Sequence, residues 1–126
     1  MATIILETAT RNAACDAIVD LIDVTSAGTL KFETAGDVEV ATLTFAATAF
    51  GAAAAGVATA AAIGSDTSAT GGTIAQASFY SGTPTKVLEC DVTATGGGGS
   101  IEISSLVVGA GDTVSCSSLT VTVPAS

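Results

Sequence analysis

Histidine and tryptophan are absent from this chain of 126 residues, and only Arg11, Lys31 and Lys86 are cationic. Without histidine there is no Ser-His-Asp or Cys-His nucleophile system, no usual general base and no usual metal ligand. The three cations stand against 12 acidic side chains, for a net charge of −9. Phosphate backbones are bound by clustered cations that release counterions, and anionic lipid attracts the same clusters. Neither nucleic acid nor a membrane surface is therefore an expected partner. Aromatics are few, four Phe and one Tyr. A core built from this chain is light, so partner subunits are expected to contribute to stability.

Cysteine is sparse and unpatterned. Cys15, Cys90 and Cys116 form no CxxC pair, so neither a disulfide framework nor a zinc site is signalled. They read as free, packed thiols in a reducing compartment, with a Cys90–Cys116 bridge as the alternative. The motif inventory is equally thin. No DxDxDG calcium loop occurs, and no GKS or GKT follows the glycine runs TGG and GGGG. No metal or cofactor is expected. Asp16 with Asp20, and Glu89 with Asp91, are carboxylate pairs, but they read as solvated acidic faces. Asp66 and Asp112 read as turn residues bonded to their own backbone.

Strong hydrophobic runs are missing too. Residues 45–65, FAATAFGAAAAGVATAAAIGS, hold eleven alanines, yet lack the apolar strength and the flanking Lys, Arg, Trp or Tyr anchors of a spanning helix. Gly51, Gly56 and Gly64 would each weaken a soluble helix by about 1 kcal/mol. We read strand, turn, strand, with helix as the competing reading, and small side chains that let another backbone pack close. The start, MATIILETATRNAAC, has no cationic n-region, and its only apolar run is Ile4, Ile5 and Leu6, so no secretory signal is read there.

What is present is one helix and many short strands. Ala14, Ala17, Ile18, Leu21 and Ile22 recur at helical spacing behind a Thr8 or Thr10 N-cap. This predicts an amphipathic helix at about residues 9–24 whose Ile18/Leu21/Ile22 face lies on a sheet. Period-two patterns follow: Leu30 and Phe32; Val38 and Val40 slipping to Leu43 and Phe45 through a bulge near Ala41-Thr42; Leu88, Cys90 and Val92; Ile101 and Ile103; Leu119, Val121 and Val123. A second slip, between Cys116 and Leu119, reads as another bulge. GTPT and GAGD read as turns, and GGGGS as a hairpin loop. The sum predicts a single domain, residues 1–126. Its fold class is mainly β: an antiparallel β-sandwich, with a jelly roll among the forms it could take, carrying one N-terminal amphipathic helix.

The segments TATRNAACDAIVDLID, GTLKFET, VATLTF, AFG, GVATAAAI, SDTSATGG and SLTVTVPA together resemble a group of small proteins encoded among virion genes of tailed bacteriophages and prophages. Thr8, Arg11, Asn12, Ala13, Asp16, Ala17 and Ile18 carry the most specific part of the likeness. FETAGD is shorter than the proline-containing turn of that group. The resemblance implies a virion structural protein, made in the host cytoplasm and located in the virion. Size, acidic charge and architecture refine this to a non-enzymatic capsid decoration, or cement, protein on the capsid surface. Its partners would be the major capsid protein and itself, as a homotrimer, since closed symmetry matches a lattice. Tail tube, tail-tip or head-fibre component is the alternative, and a carbohydrate-binding module a further one. The candidate partner-contact residues are Ile4, Ile5 and Leu6, which could add an edge strand to a neighbour or pair within their own sheet.

Overall fold

The computed structural model describes residues 4–125 of the chain. Among these residues a single α-helix, α1 (Thr8–Asp20), is followed by nine short strands: β1 (Thr29–Glu33), β2 (Glu39–Thr44), β3 (Val57–Thr59), β4 (Gly72–Thr73), β5 (Gln76–Tyr80), β6 (Lys86–Ala94), β7 (Ile101–Ile103), β8 (Val107–Val108) and β9 (Thr120–Thr122). Five strands make the main sheet in the order β2-β1-β5-β6-β7, while β3 pairs with β9 and β4 with β8 as separate ribbons. The protein is thus mainly β with one helix, and antiparallel pairing predominates. A broad sheet with two ribbons is a coarser match to the sequence expectation than two opposed sheets would be.

The alternation of side chains in β1 builds a one-sided sheet. Its register sets Leu30 beside Leu43 and Phe79, and Phe32 beside Ala41 and Ala77, on an apolar face. Lys31 sits beside Thr42 and Ser78, and Glu33 beside Glu39 and Gln76, on a polar one. The apolar face joins Cys15, Val19 and Ile22 of the helical region, Ala58 of β3 and Leu119 in one buried cluster. Phe45 stacks there against Phe50 and Phe79 at centroid distances of 5.6 and 5.7 Å. The predicted bulge in β2 is present one step earlier. Phe32 pairs with Ala41 and Glu33 with Glu39, so Val40 is the extra residue. Val40 and Ala41 are both buried, whereas Val38 is exposed.

Five expectations are corrected. The helix ends at Asp20, and its N-cap is Glu7 without a side-chain capping bond, instead of Thr8 or Thr10. Of the expected Ile18/Leu21/Ile22 face, Ile22 is buried in the turn after the helix, Ile18 is half-buried and Leu21 half exposed, while the helix itself buries Cys15 and Val19. The face is rotated because the helix packs against β3 and β9, where the small Cys15 can approach closely and donate its S–H to the Val121 carbonyl at 3.2 Å. GGGGS does not close a hairpin. The chain doubles back through it, and β7 runs parallel to β6, Val92 opposite Ile101. Gly96 and Gly98, at φ +87 and +80, permit that reversal. The slip before Leu119 is a break in pairing: residues 115–118 belong to no strand.

The alanine-rich stretch is an irregular hairpin. Isolated bridges join Thr44 to Gly64, Phe50 to Ala60 and Ala54 to Val57, with β3 the regular part of its return arm. Its tip is a two-residue turn, Ala55 at φ +52 and Gly56 at φ +78, closed by reciprocal 2.9 Å bonds between Ala54 and Val57. These angles are those of a type I′ hairpin turn. No helix among the described residues is long and apolar enough to cross a membrane.

Candidate functional site

Three places gather the polar and exposed groups to which function could attach. The first is the junction of the helix with the alanine-rich hairpin. Arg11 Nε donates to the Val123 carbonyl at 2.8 Å. Asn12 Oδ1 accepts the Gly56 N–H at 2.8 Å, Asp16 Oδ1 the Ala53 N–H at 2.7 Å, and Asp23 Oδ2 the Ala49 N–H at 2.7 Å. A hairpin of small residues has few side-chain contacts, so helix side chains satisfy its main chain instead. Asp16 therefore does not belong to a solvated acidic face, although Asp20 is exposed. The residues most specific to the sequence pattern are thus a structural clamp. Asp66 and Asp112 meet the turn expectation, with Asp66 Oδ1 accepting from Ser68 at 2.9 Å and Asp112 Oδ2 from Gly109 at 2.8 Å. Asp66 also uses Oδ2 to accept the Thr42 N–H at 2.9 Å, at the edge of β2.

The second place is the polar face of the main sheet. Glu33, Asp37 and Glu89 bring carboxylate oxygens within 4.8 Å of one another. Glu33 is only 4% exposed and accepts hydrogen bonds from Ser78 Oγ, Tyr80 Oη and Gln76 Nε2. The Gln76 amide also donates to Asp37 and Glu89. Lys86 Nζ bonds Glu89 at 2.6 Å. That bond raises the Lys86 pKa above its ordinary value, opposed by desolvation. Two of the three cations stand over the Tyr80 ring, Lys31 at 4.8 Å and Lys86 at 5.9 Å. These three carboxylates are the residues that could hold a hard cation by oxygen alone. The Gln76 amide already bridges them, so the cluster is satisfied by groups of the chain itself.

Sequence reading missed this cluster because it paired Glu89 with Asp91 along one strand. Across the sheet, β5 lies between β1 and β6 and brings Glu89 to Glu33 instead. Asp91 turns to Ser100, whose Oγ and N–H donate to it at 2.7 and 3.1 Å and hold its pKa below the ordinary carboxylate value. The cationic inventory is fully engaged: Arg11 in the clamp, Lys31 and Lys86 around Tyr80. All three cysteines are free. Partial burial, reinforced by Asp91 and Glu89, pushes the Cys90 thiol up to about 11, and burial also raises Cys116.

The third place is the N-terminal segment. Ile4 is 79% and Ile5 67% exposed, and neither lies in regular secondary structure. Leu6 is half-buried, and its N–H donates to the Ala125 carbonyl at 2.7 Å. The segment is therefore tethered at Leu6 and presents two large apolar side chains to solvent. The chain matches no protein-family model, no curated protein and no solved structure.

Proposed function

We propose that this chain is a non-enzymatic virion structural protein of a tailed phage, a capsid decoration or cement protein that bridges capsomers on the outer head surface. The observation that carries the reading beyond the sequence resemblance is the tethered apolar pair Ile4 and Ile5, adjacent in sequence, whereas the other exposed large apolar side chains, Leu21, Val24, Val38 and Val107, are not adjacent to one another. Such a pair has a purpose if a neighbour covers it. Ile4, Ile5 and Leu6 are the proposed contacts to the major capsid protein or to another copy. In this reading the β3–β9 and β4–β8 ribbons form a reduced second layer of a β-sandwich, since Leu119 and Ala58 share the core of the main sheet.

Bridging several capsomers by symmetric copies strengthens a shell through effective concentration, without a tight single contact. A negative surface keeps such a protein soluble and off DNA, and every cation here has an internal partner. Purified protein is expected to bind the outside of mature, expanded capsids of its phage as a homotrimer. Particles lacking it are expected to release DNA at lower temperature than complete ones. If such particles keep normal heat resistance but fail to adsorb or to eject DNA, the protein belongs to the tail.

A further inference from the structure

The two edges of the main sheet are treated differently. Along β2, Asp66 accepts the Thr42 N–H, Gly64 bonds Thr44 in both directions at 2.8 and 3.3 Å, and the Gly71 N–H bonds the Val40 carbonyl at 3.1 Å. That edge is covered by its own chain. The other edge, β7, has β6 as its single strand neighbour. Facing it across a groove of about 410 Å³ run residues 115–118, whose main chain makes no backbone–backbone hydrogen bond among the described residues. Ile101 and Leu119 are buried below, Phe32 lies at the floor, and serines form the rim. A smaller groove of about 240 Å³ continues past Ile103 between residues 103–108 and 112–115. On one wall is an edge strand; on the other is a segment without backbone–backbone bonds, its Ser118 carbonyl accepting the Cys116 S–H at 3.3 Å. Two such walls over an apolar floor have the form of a sheet with one strand left out.

We infer that this groove receives the N-terminal arm of a second copy of the chain, so that Ile4 and Ile5 enter as an added strand between β7 and residues 115–118. The inference deepens the proposed function, resting on that reading for the arm's role as a contact, and names the acceptor. Three observations select the arm. It sets two large apolar side chains at adjacent positions in solvent without a strand partner, both more exposed than Leu21 and Val24 in the turn after α1. Residues 2–6, ATIIL, are uncharged, so seating them near Glu102 and Asp112 adds no like-charge repulsion in a molecule of net charge −9. Alternate side chains of an inserted strand point to floor and rim, which suits one isoleucine inward and one toward a neighbour. Donor and acceptor are different patches of one chain, so the arms are either exchanged reciprocally about a two-fold axis or passed head to tail round a closed ring.

The test uses purified full-length protein without capsids, so its failure is distinct from failure to bind a capsid. A photo-crosslinker, p-benzoylphenylalanine, replaces Ile5, and chains labelled with heavy isotope are mixed with unlabelled ones before irradiation. The expected products are mixed-isotope peptides joining position 5 to residues 100–104 or 115–119. Static light scattering should show a closed oligomer of the 12.0 kDa chain. The exposed double variant Ile4→Glu, Ile5→Glu should fall to monomer while keeping the parent circular dichroism. Isotopically pure cross-links with no mixed ones would place the arm in its own groove and overturn the inference. So would cross-links elsewhere, a monomeric parent, or a double variant that stays oligomeric.

Discussion

At the scale of single residues, backbone conformation and close approach decide which positions tolerate change. Ala55 occupies the left-handed region at φ +52, which costs an L-residue roughly 1–2 kcal/mol, and Asn-Gly is the favoured pair for this turn. Ala55→Asn is expected to raise stability by roughly 1 kcal/mol, read as a higher urea midpoint at unchanged slope. A loss would mean that the turn is not as described. Gly28 is the opposite case: a Cβ there would overlap the carbonyl oxygens of Tyr80 and Ile22. Gly28→Ala should therefore destabilise by about 1–3 kcal/mol or more, since backbone on both sides must shift. Cys90, held near 11 by burial and two carboxylates, should carry on the order of a hundredfold less thiolate at pH 8 than a thiol at 9. Alkylation followed by peptide mapping measures this, and modification as fast as in the unfolded chain would contradict the described environment.

For the elements, the helix and the alanine-rich hairpin form one unit. The buried stripe is Cys15 and Val19 of the helix continued by Ile22 in the turn after it, so Ile22→Ala should cost about 2–5 kcal/mol. Leu21→Ala, on the exposed side, should stay within about 0.5 kcal/mol. Thermal or urea unfolding of the two variants separates them, and equal losses would refute the assigned face. Removing an acceptor from the clamp acts locally. Asp16→Ala leaves the Ala53 N–H without its partner and should cost roughly 1 kcal/mol. Hydrogen exchange should accelerate at Ala53 and its neighbours more than in β5, at the centre of the main sheet. Uniform acceleration across the chain would mean that the clamp does not act on the hairpin alone.

For the whole molecule, four shifted groups shape stability against pH. Asp91 is depressed, so its contribution is present above the ordinary carboxylate value and is lost as pH falls through the folded one. Lys86 is raised, so its contribution is full below 10.5 and disappears as pH rises through its higher folded value. Cys90 is an acid with a raised value. Between 9 and about 11 the unfolded chain has released that proton and the folded chain has not, so stability falls as pH rises through this window. Cys116, also an acid raised by burial, loses stability in the same sense, so Lys86, Cys90 and Cys116 act in one direction on the alkaline side. Urea midpoints should be level from pH 5 to 8 and decline above 9, and Cys90→Ala should flatten part of that decline. An alkaline limb unchanged by the substitution would remove Cys90 as a cause.

Local pattern determined much of this protein. Period-two alternation placed Leu30, Phe32, Leu43, Phe45, Val92 and Leu119 inside, because a strand has only two faces. The slip from Val38 and Val40 to Leu43 announced a bulge for the same reason. The absence of clustered cations and of histidine is a property of composition that no fold can reverse. Tertiary structure alone decided the rest. A helix stripe shifts by one residue when its neighbour is a ribbon that admits Cys15 but not Leu21, and nothing local encodes that neighbour. GGGGS permits either a hairpin or a parallel return, since glycine opposes neither; the choice follows from where β7 finds a partner. The Glu33, Asp37 and Glu89 cluster joins residues far apart in sequence through strand order, which depends on long-range pairing. The open β7 edge is invisible in sequence because an unpaired strand and a paired one share the same alternation, and only the chain's path shows which edge it leaves uncovered.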